Sequence, residues 1–264
     1  MSLLPETTAA NVLVVGATQG IGLELVRQLL QVSQVAHLFA TYRSSPTSNP
    51  TETQTAAALF ELRSEYSQRL HCIPMDLTEE SQISSGLAAV GKIAPQLHLV
   101  VNCVGLLHSD QQQPEKALRQ LNADNLINYF QVNSIGPALL AKHLMPLFKH
   151  KEPALFATIS AKVGSIGDNR LGGWYGYRAS KAALNMFLKT AAIEYGRRHP
   201  NVILVMLHPG TTDTQLSKPF QRNVPAEKLF STERTAKQLL DVLSTVTPQD
   251  SGEFFSWDGS RLPW

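Results

Sequence analysis

The 264-residue chain has only two cysteines, Cys72 and Cys103. Both sit in apolar runs, which predicts buried free thiols in a reducing compartment, and their spacing suits no metal site. Charge asymmetry is also missing. The 23 basic and 21 acidic residues leave a net charge of +2 with no basic block, so nothing points to a nucleic-acid or anionic-membrane partner. No apolar run reaches the length of a bilayer span, and Met1 to Asn11 lacks the basic region and apolar core of a signal peptide. A cytoplasmic protein is expected. No repeat and no domain boundary is visible, so residues 1–264 read as one domain. The apolar content, 43%, is enough for one substantial core.

That apolar content falls in short runs. Asn11 to Val15, Val35 to Ala40, Leu70 to Met75, Leu97 to Val101, Ala154 to Ile159, Val202 to Leu207 and Gly252 to Trp257 read as strands. Helical patterns alternate with them, near Ala56 to Tyr66, Glu79 to Ile93, Ala117 to Lys149, Tyr177 onward and Thr232 to Ser244. Ser44 to Thr55 reads as a polar loop, and Gln215 to Phe230 as an irregular, lid-like segment. Strands alternating with helices imply an α/β fold. The expectation is a Rossmann-type, doubly wound, mostly parallel seven-stranded sheet with helices on both faces, binding ligands beyond its carboxyl edge.

At the first strand-to-helix junction stands Gly16-Ala17-Thr18-Gln19-Gly20-Ile21-Gly22. Glycines there let the backbone approach a pyrophosphate, and the helix N-terminus offers N–H donors to it. An ordinary tight turn is the other reading. In such a fold the second strand ends at the adenosine ribose, where an acidic residue would bind the 2′-hydroxyl and an Arg would accept a 2′-phosphate. No Asp or Glu lies between Val35 and Arg43, so NADP(H) is favoured over NAD(H), unless Arg43 is only a solvated loop residue. Asp76, at the end of the third strand, either caps the next helix or faces the adenine.

Tyr177 and Lys181 lie four residues apart at the start of a helical run, on one face. An ammonium near a phenol favours the phenolate and suits it to proton exchange with an alcohol or carbonyl, although such pairs also occur on solvated helices. Gly136 and Pro137 inside the long helical stretch imply a kink. Asn133 beside it either uses that irregularity to hold a water or is a surface amide.

The glycine turn, Asn102-Cys103-Val104-Gly105, Asn133, Tyr177-Arg178-Ala179-Ser180-Lys181 and Pro209-Gly210 follow one another over nearly the whole chain. Together they resemble the short-chain dehydrogenase/reductase family. Gly-Gly-Trp-Tyr-Gly-Tyr-Arg-Ala-Ser-Lys and the C-terminal Phe-Phe-Ser-Trp-Asp-Gly are similar to its branch of C-factor and sniffer-type carbonyl reductases. The resemblance implies that Tyr177 donates the proton to a carbonyl oxygen, and that Lys181 lowers its pKa and binds the nicotinamide ribose. Asn133 would hold a relay water. Gly16, Gly20, Ile21 and Gly22 would line the pyrophosphate, Asp76 and Leu77 the adenine, and Asn102 the adenine ribose. Pro209, Thr212 and Thr214 would meet the carboxamide and phosphates, with Thr18, Gln19, Gly105 and Gly210 in the same cofactor set. The implied protein is a dimer or tetramer that reduces a small apolar or aromatic ketone or aldehyde, with Trp174, Tyr175, Leu216 and Phe220 as the substrate wall.

There are two departures. The family's Asn-Ala-Gly is Cys103-Val104-Gly105 here. Its usual second serine after strand five aligns with Ala161, leaving Ser160 as the expected hydroxyl donor and Ser165 as the other candidate. Weak turnover, as in a dinucleotide-binding regulator, is the alternative this departure implies.

Overall fold

A computed structural model describes residues 7–43 and 50–264 (for 50–55, the backbone). The strand-like runs form β1 (Ala10–Val15), β2 (Val35–Tyr42), β3 (Leu70–Pro74), β4 (Leu99–Asn102), β5 (Ala154–Ile159) and β6 (Val202–His208). Two short strands, β7 (Thr211–Thr212) and β8 (Leu229–Phe230), pair with each other, and β9 (Glu253–Ser256) closes the main sheet. Its order is β3-β2-β1-β4-β5-β6-β9, with every pairing parallel. The order reverses between β1 and β4, so the carboxyl ends of these two strands flank a crevice.

Successive side chains of a strand point to opposite faces, and both faces are covered. Val12 and Val14 of β1 pack with α1 (Gly20–Leu30), α2 (Pro50–Glu65) and α7 (Thr232–Leu243). Leu13 and Val15 pack with α3 (Glu80–Ile93), α5 (Gly136–Leu144) and α6 (Tyr175–Arg198). The doubly wound expectation holds.

Two helical segments differ from the sequence reading. Helix α2 begins at Pro50, inside the expected polar loop, while residues 44–49 of that loop lie outside the described residues. The stretch from Ala117 is not one helix. Short 3₁₀ turns flank α4 (Ala123–Phe130) and α5, and a π-helical turn, Gln131–Ile135, joins the two. The expected irregularity therefore falls just before Gly136. That glycine lies under the Leu77 carbonyl, where a Cβ would come within 2.6 Å of the oxygen. Among the described residues no helix is long and apolar enough to cross a membrane.

Three histidines in or beside the strands titrate below the ordinary 6.5: His71 and His98 through burial and then a histidine neighbour, and His208, held down to about 4, through burial and then Lys162. A folded pKa below the unfolded one means that the unfolded chain takes up more protons as pH falls. This stability is complete above about pH 6.5 and lost as pH drops towards the folded values. The urea midpoint is expected to be lower at pH 5 than at pH 7.5. A midpoint that holds or rises over that interval would contradict it.

Candidate active site

The loops that leave β1, β4 and β6 meet over the crevice. Gly16 ends the first strand at φ +80°, a left-handed conformation that costs glycine little. A Cβ at Gly22 would stand 2.0 Å from the Gly16 carbonyl oxygen, so only glycine lets the first turn of α1 sit this close to the strand end. Gln19, at the N-cap, makes no side-chain cap bond, and the first turn of α1 carries no acidic residue. The N–H groups of that turn have no intrahelical acceptor and favour an anion. These features of the Gly16–Gly22 turn fit a pyrophosphate group. A Cβ at Gly20 would lie 3.2 Å from the Thr214 methyl, so the loop after β6 reaches across to the same turn.

Several other expected cofactor residues also bond within the scaffold. Asn102 is fully buried. Its amide donates to Thr158 Oγ1 at 2.8 Å and its carbonyl accepts from Val104 N at 3.2 Å, which ties the end of β4 to β5 and shapes the Cys103–Gly105 turn. Asp76 neither caps α3, whose N-cap is Glu79, nor stands alone: its carboxylate accepts from Thr78 N and Thr78 Oγ1. Leu77 is a core side chain packed under the same corner. Thr212 turns its hydroxyl to Thr235 of α7 at 2.9 Å. Pro209 is buried, and Gly210 (φ +73°) lies against Phe230 and Trp257. Arg43 is exposed immediately after β2, at the carboxyl edge.

Tyr177 and Lys181 lie on the buried face of α6, Tyr177 in its first turn. Lys181 is 2% exposed and its Nζ donates to the Ile159 carbonyl at 3.0 Å, 5.9 Å from the centre of the Tyr177 ring. Burial brings its pKa down to about 8. Burial dominates and pushes Tyr177 up, with neighbouring Tyr129 adding to the rise. A phenolate taken out of water is penalised, so the buried phenol is held in its neutral form. The β4 loop closes the arrangement, because a Cβ at Gly105 would lie 3.5 Å from Lys181 Nζ and 3.7 Å from Asn133 Oδ1.

Asn133 is buried in the π-helical turn, so the surface-amide reading fails. Its amide donates to the Leu106 carbonyl (2.8 Å) and Ser180 Oγ (3.0 Å), and its carbonyl accepts from Leu106 N (2.7 Å). Tyr129, not anticipated as a site residue, donates to the Leu107 carbonyl at 2.6 Å. Its ring and that of Trp174 both lie edge-on to Tyr177, at 6.3 and 6.1 Å. Phe220 meets Trp174 at 5.0 Å. Leu106, Leu107, Ala161 and Val163 complete this apolar cluster around the phenol. Of the expected wall, Trp174 and Phe220 are brought in, while Tyr175 and Leu216 are exposed outside it.

Ser160 is not brought to the phenol. Its hydroxyl donates to Asn185 Oδ1 of α6 at 2.7 Å, in the protein interior. Adjacent residues of an extended chain point opposite ways, so the methyl of Ala161 faces Tyr177 and the Ser160 hydroxyl does not. Ser165 Oγ accepts from Asp168 N at 3.1 Å. Cys103, expected as a buried thiol, is part-buried, and its thiol is pushed up to about 12.

A parallel sheet with a glycine cradle at its switch point and a buried Tyr-Lys pair beside it defines a dinucleotide-dependent oxidoreductase of the Rossmann type. A family model for short chain dehydrogenase matches residues 10–225, and the chain belongs to that family. It is 29% identical to 1-hydroxy-2-glutathionyl-2-methyl-3-butene dehydrogenase of Rhodococcus sp. (strain AD45), over 97% of this chain and 100% of that one. Among solved structures it resembles the NADPH-bound carbonyl reductase from chicken fatty liver (29% identity, TM-score 0.84, 97% and 99% of the two chains). It is also similar to the carbonyl reductase Sniffer of D. melanogaster (25% identity, TM-score 0.83, 97% and 100%). These neighbours bear out the carbonyl-reductase-like resemblance.

Ser160→Ala is expected to cost about 1–3 kcal/mol of stability, because Asn185 loses its buried donor, while turnover falls less than tenfold. A loss of a hundredfold or more in kcat, with stability unchanged, would return Ser160 to the oxyanion.

Proposed function

We propose that this protein is an NADP(H)-dependent reductase of small apolar or aromatic ketones and aldehydes. The observation that carries the reading is the apolar cluster of Leu107, Tyr129, Ala161, Trp174 and Phe220 around the buried Tyr177, one residue from the glycine-lined crevice through Gly105 and Lys181. Its aromatic and aliphatic side chains suit an uncharged, apolar substrate. A nicotinamide cofactor, when bound, supplies the hydride to the carbonyl carbon. The protein's own residues do the rest. Gly16, Thr18, Gln19, Gly20, Ile21, Gly22 and Thr214 hold the pyrophosphate, and Arg43 accepts the 2′-phosphate. Lys181 binds the ribose, and Tyr177 donates its proton to the developing alkoxide. A phenol kept neutral by burial is in the right state to donate, and the buried Lys181, near 8, is placed to pass the replacement proton from a water at the Asn133 turn back to Tyr177.

A second reading, a dinucleotide-binding regulator with little turnover, is favoured by one observation. The position where the family keeps a hydroxyl is the methyl of Ala161, and the Ser160 hydroxyl is held by Asn185. The partner is a small molecule, with neither nucleic acid nor membrane, in the cytoplasm. A homo-oligomer is proposed through the outward faces of α4 and α6, where Ile127, Met186 and Ile193 are more than half exposed.

Purified protein with NADPH and a panel of aryl ketones and aldehydes is expected to consume the nicotinamide absorbance, and Tyr177→Phe to lower that rate at least a hundredfold with NADPH binding retained. Cofactor fluorescence that changes on binding without any turnover would leave the regulator. Arg43→Glu is expected to weaken NADPH at least tenfold while changing NADH less than threefold. Equal effects on the two would remove Arg43 from the phosphate.

A further inference from the structure

The turn that delivers Tyr177 is left-handed for three residues. Gly172 and Gly173 have φ of +65° and +67°, and Trp174 follows at +53°, the one non-glycine residue with positive φ among those described. For a residue with a Cβ this conformation is disfavoured and persists only where the surroundings over-determine it. Two residues brace it, Arg178 on the glycines before Trp174 and Glu115 on both sides of it, through its main chain at Trp174 N and its side chain at Gly176 N. Arg178, on the first turns of α6, donates to the carbonyls of Gly172 (3.1 Å), Gly173 (2.9 Å) and Val163 (3.2 Å). Glu115 comes from the loop beyond β4. Its main-chain carbonyl accepts from Trp174 N, and its Oε2 accepts from Gly176 N at 3.1 Å.

Glu115 is 3% exposed, and its other oxygen, Oε1, is buried with no protein donor. A carboxylate in such a place is costly unless something compensates it. Here the compensation is the amino end of a 24-residue helix. Trp174, its N-cap, offers no side-chain cap, and its first turn has no acidic residue. The exposed N–H groups and the positive end of the dipole favour an anion at that point. Glu115 is thus an external cap for α6, contributed 61 residues away.

We propose that Glu115 is a positioning residue: it holds Trp174 left-handed at the mouth of α6, and so fixes the indole between Tyr177 and Phe220 as the rigid wall of the substrate chamber. The inference rests on the reading of that cluster as the substrate site. It predicts that Glu115 controls how well a bulky carbonyl is seated, and that it leaves the chemistry of Tyr177 and the cofactor cradle alone.

The test compares Glu115→Ala, Glu115→Asp and Glu115→Gln. The amide oxygen of Gln still reaches Gly176 N, whereas Asp keeps the charge but is one methylene short. In the Ala and Asp variants, KM for a bulky aryl ketone is expected to rise at least tenfold. The kcat for a small aldehyde and the Kd for NADPH should stay within threefold, and Gln should restore KM to within threefold of the parent. A second readout needs no turnover. In a Trp257→Phe/Trp264→Phe background, Trp174 is the sole indole of the three. Its acrylamide quenching is expected to rise at least twofold on Glu115→Asp and to stay at the parent value on Glu115→Gln.

If the parent reduces no carbonyl while Trp174 loosens as described, the proposed activity fails and the positioning role stands. Unchanged quenching and unchanged KM in Glu115→Asp would overturn the inference. So would a Gln variant as impaired as the Asp variant. Should Glu115→Ala fail to fold, the Asp and Gln pair decides.

Discussion

The site depends on a buried ammonium held by a main-chain carbonyl. Lys181 is out of water, and a charge in that position needs a partner. Ile159 O, at the end of β5, is the partner the structure supplies. One turn further on, Asn185 takes the Ser160 hydroxyl from the same strand end. Two successive turns of α6 are therefore fastened to two successive residues at the end of β5, Ile159 and Ser160, which fixes the rotation of the helix. With that rotation set, Tyr177, one turn earlier, has no choice of direction. Its phenol enters the apolar cluster of Leu107, Tyr129 and Trp174 because Lys181 and Asn185 are committed below it.

Around this fastening, buried amides and phenols brace the loops. Asn102 ties β4 to β5, Asn133 grips both main-chain atoms of Leu106, and Tyr129 holds the Leu107 carbonyl. Each side chain satisfies loop main-chain groups that no strand ladder can reach, which is the condition for irregular backbone to be buried at all. Each also spends its own hydrogen-bonding capacity in doing so. Asn102 and Thr212 take part in the same bracing, with side-chain polar atoms paired inside the protein. The Ser160 hydroxyl is spent in the same manner, and the neighbouring methyl of Ala161 is left facing the phenol.

The parallel seven-stranded sheet, its two covered faces and the glycine turn were legible in the sequence, because each follows from local pattern. A buried parallel strand must be apolar along its length, and the contact of Gly22 with the Gly16 carbonyl admits no other residue. Helix boundaries were less legible where polar composition hid them, as at Pro50, or where one apolar pattern covered an α, a π and a second α segment between Ala123 and Leu144. The lid-like stretch after Gln215 was legible as irregular, but the choice of Phe220 over Leu216 as the side chain reaching Trp174 was not.

By itself, then, the sequence determined the architecture, the crevice and the pairing of Tyr177 with Lys181 on one helix face, since these rest on spacing along the chain. Only the tertiary structure decided what those groups experience. Whether a hydroxyl at Ser160 meets substrate or Asn185, whether burial or a nearby ammonium governs the phenol, and whether Glu115 is a surface charge or the cap of a distant helix all depend on contacts between residues far apart in sequence. Desolvation and hydrogen bonding act through those contacts, and no local pattern records them.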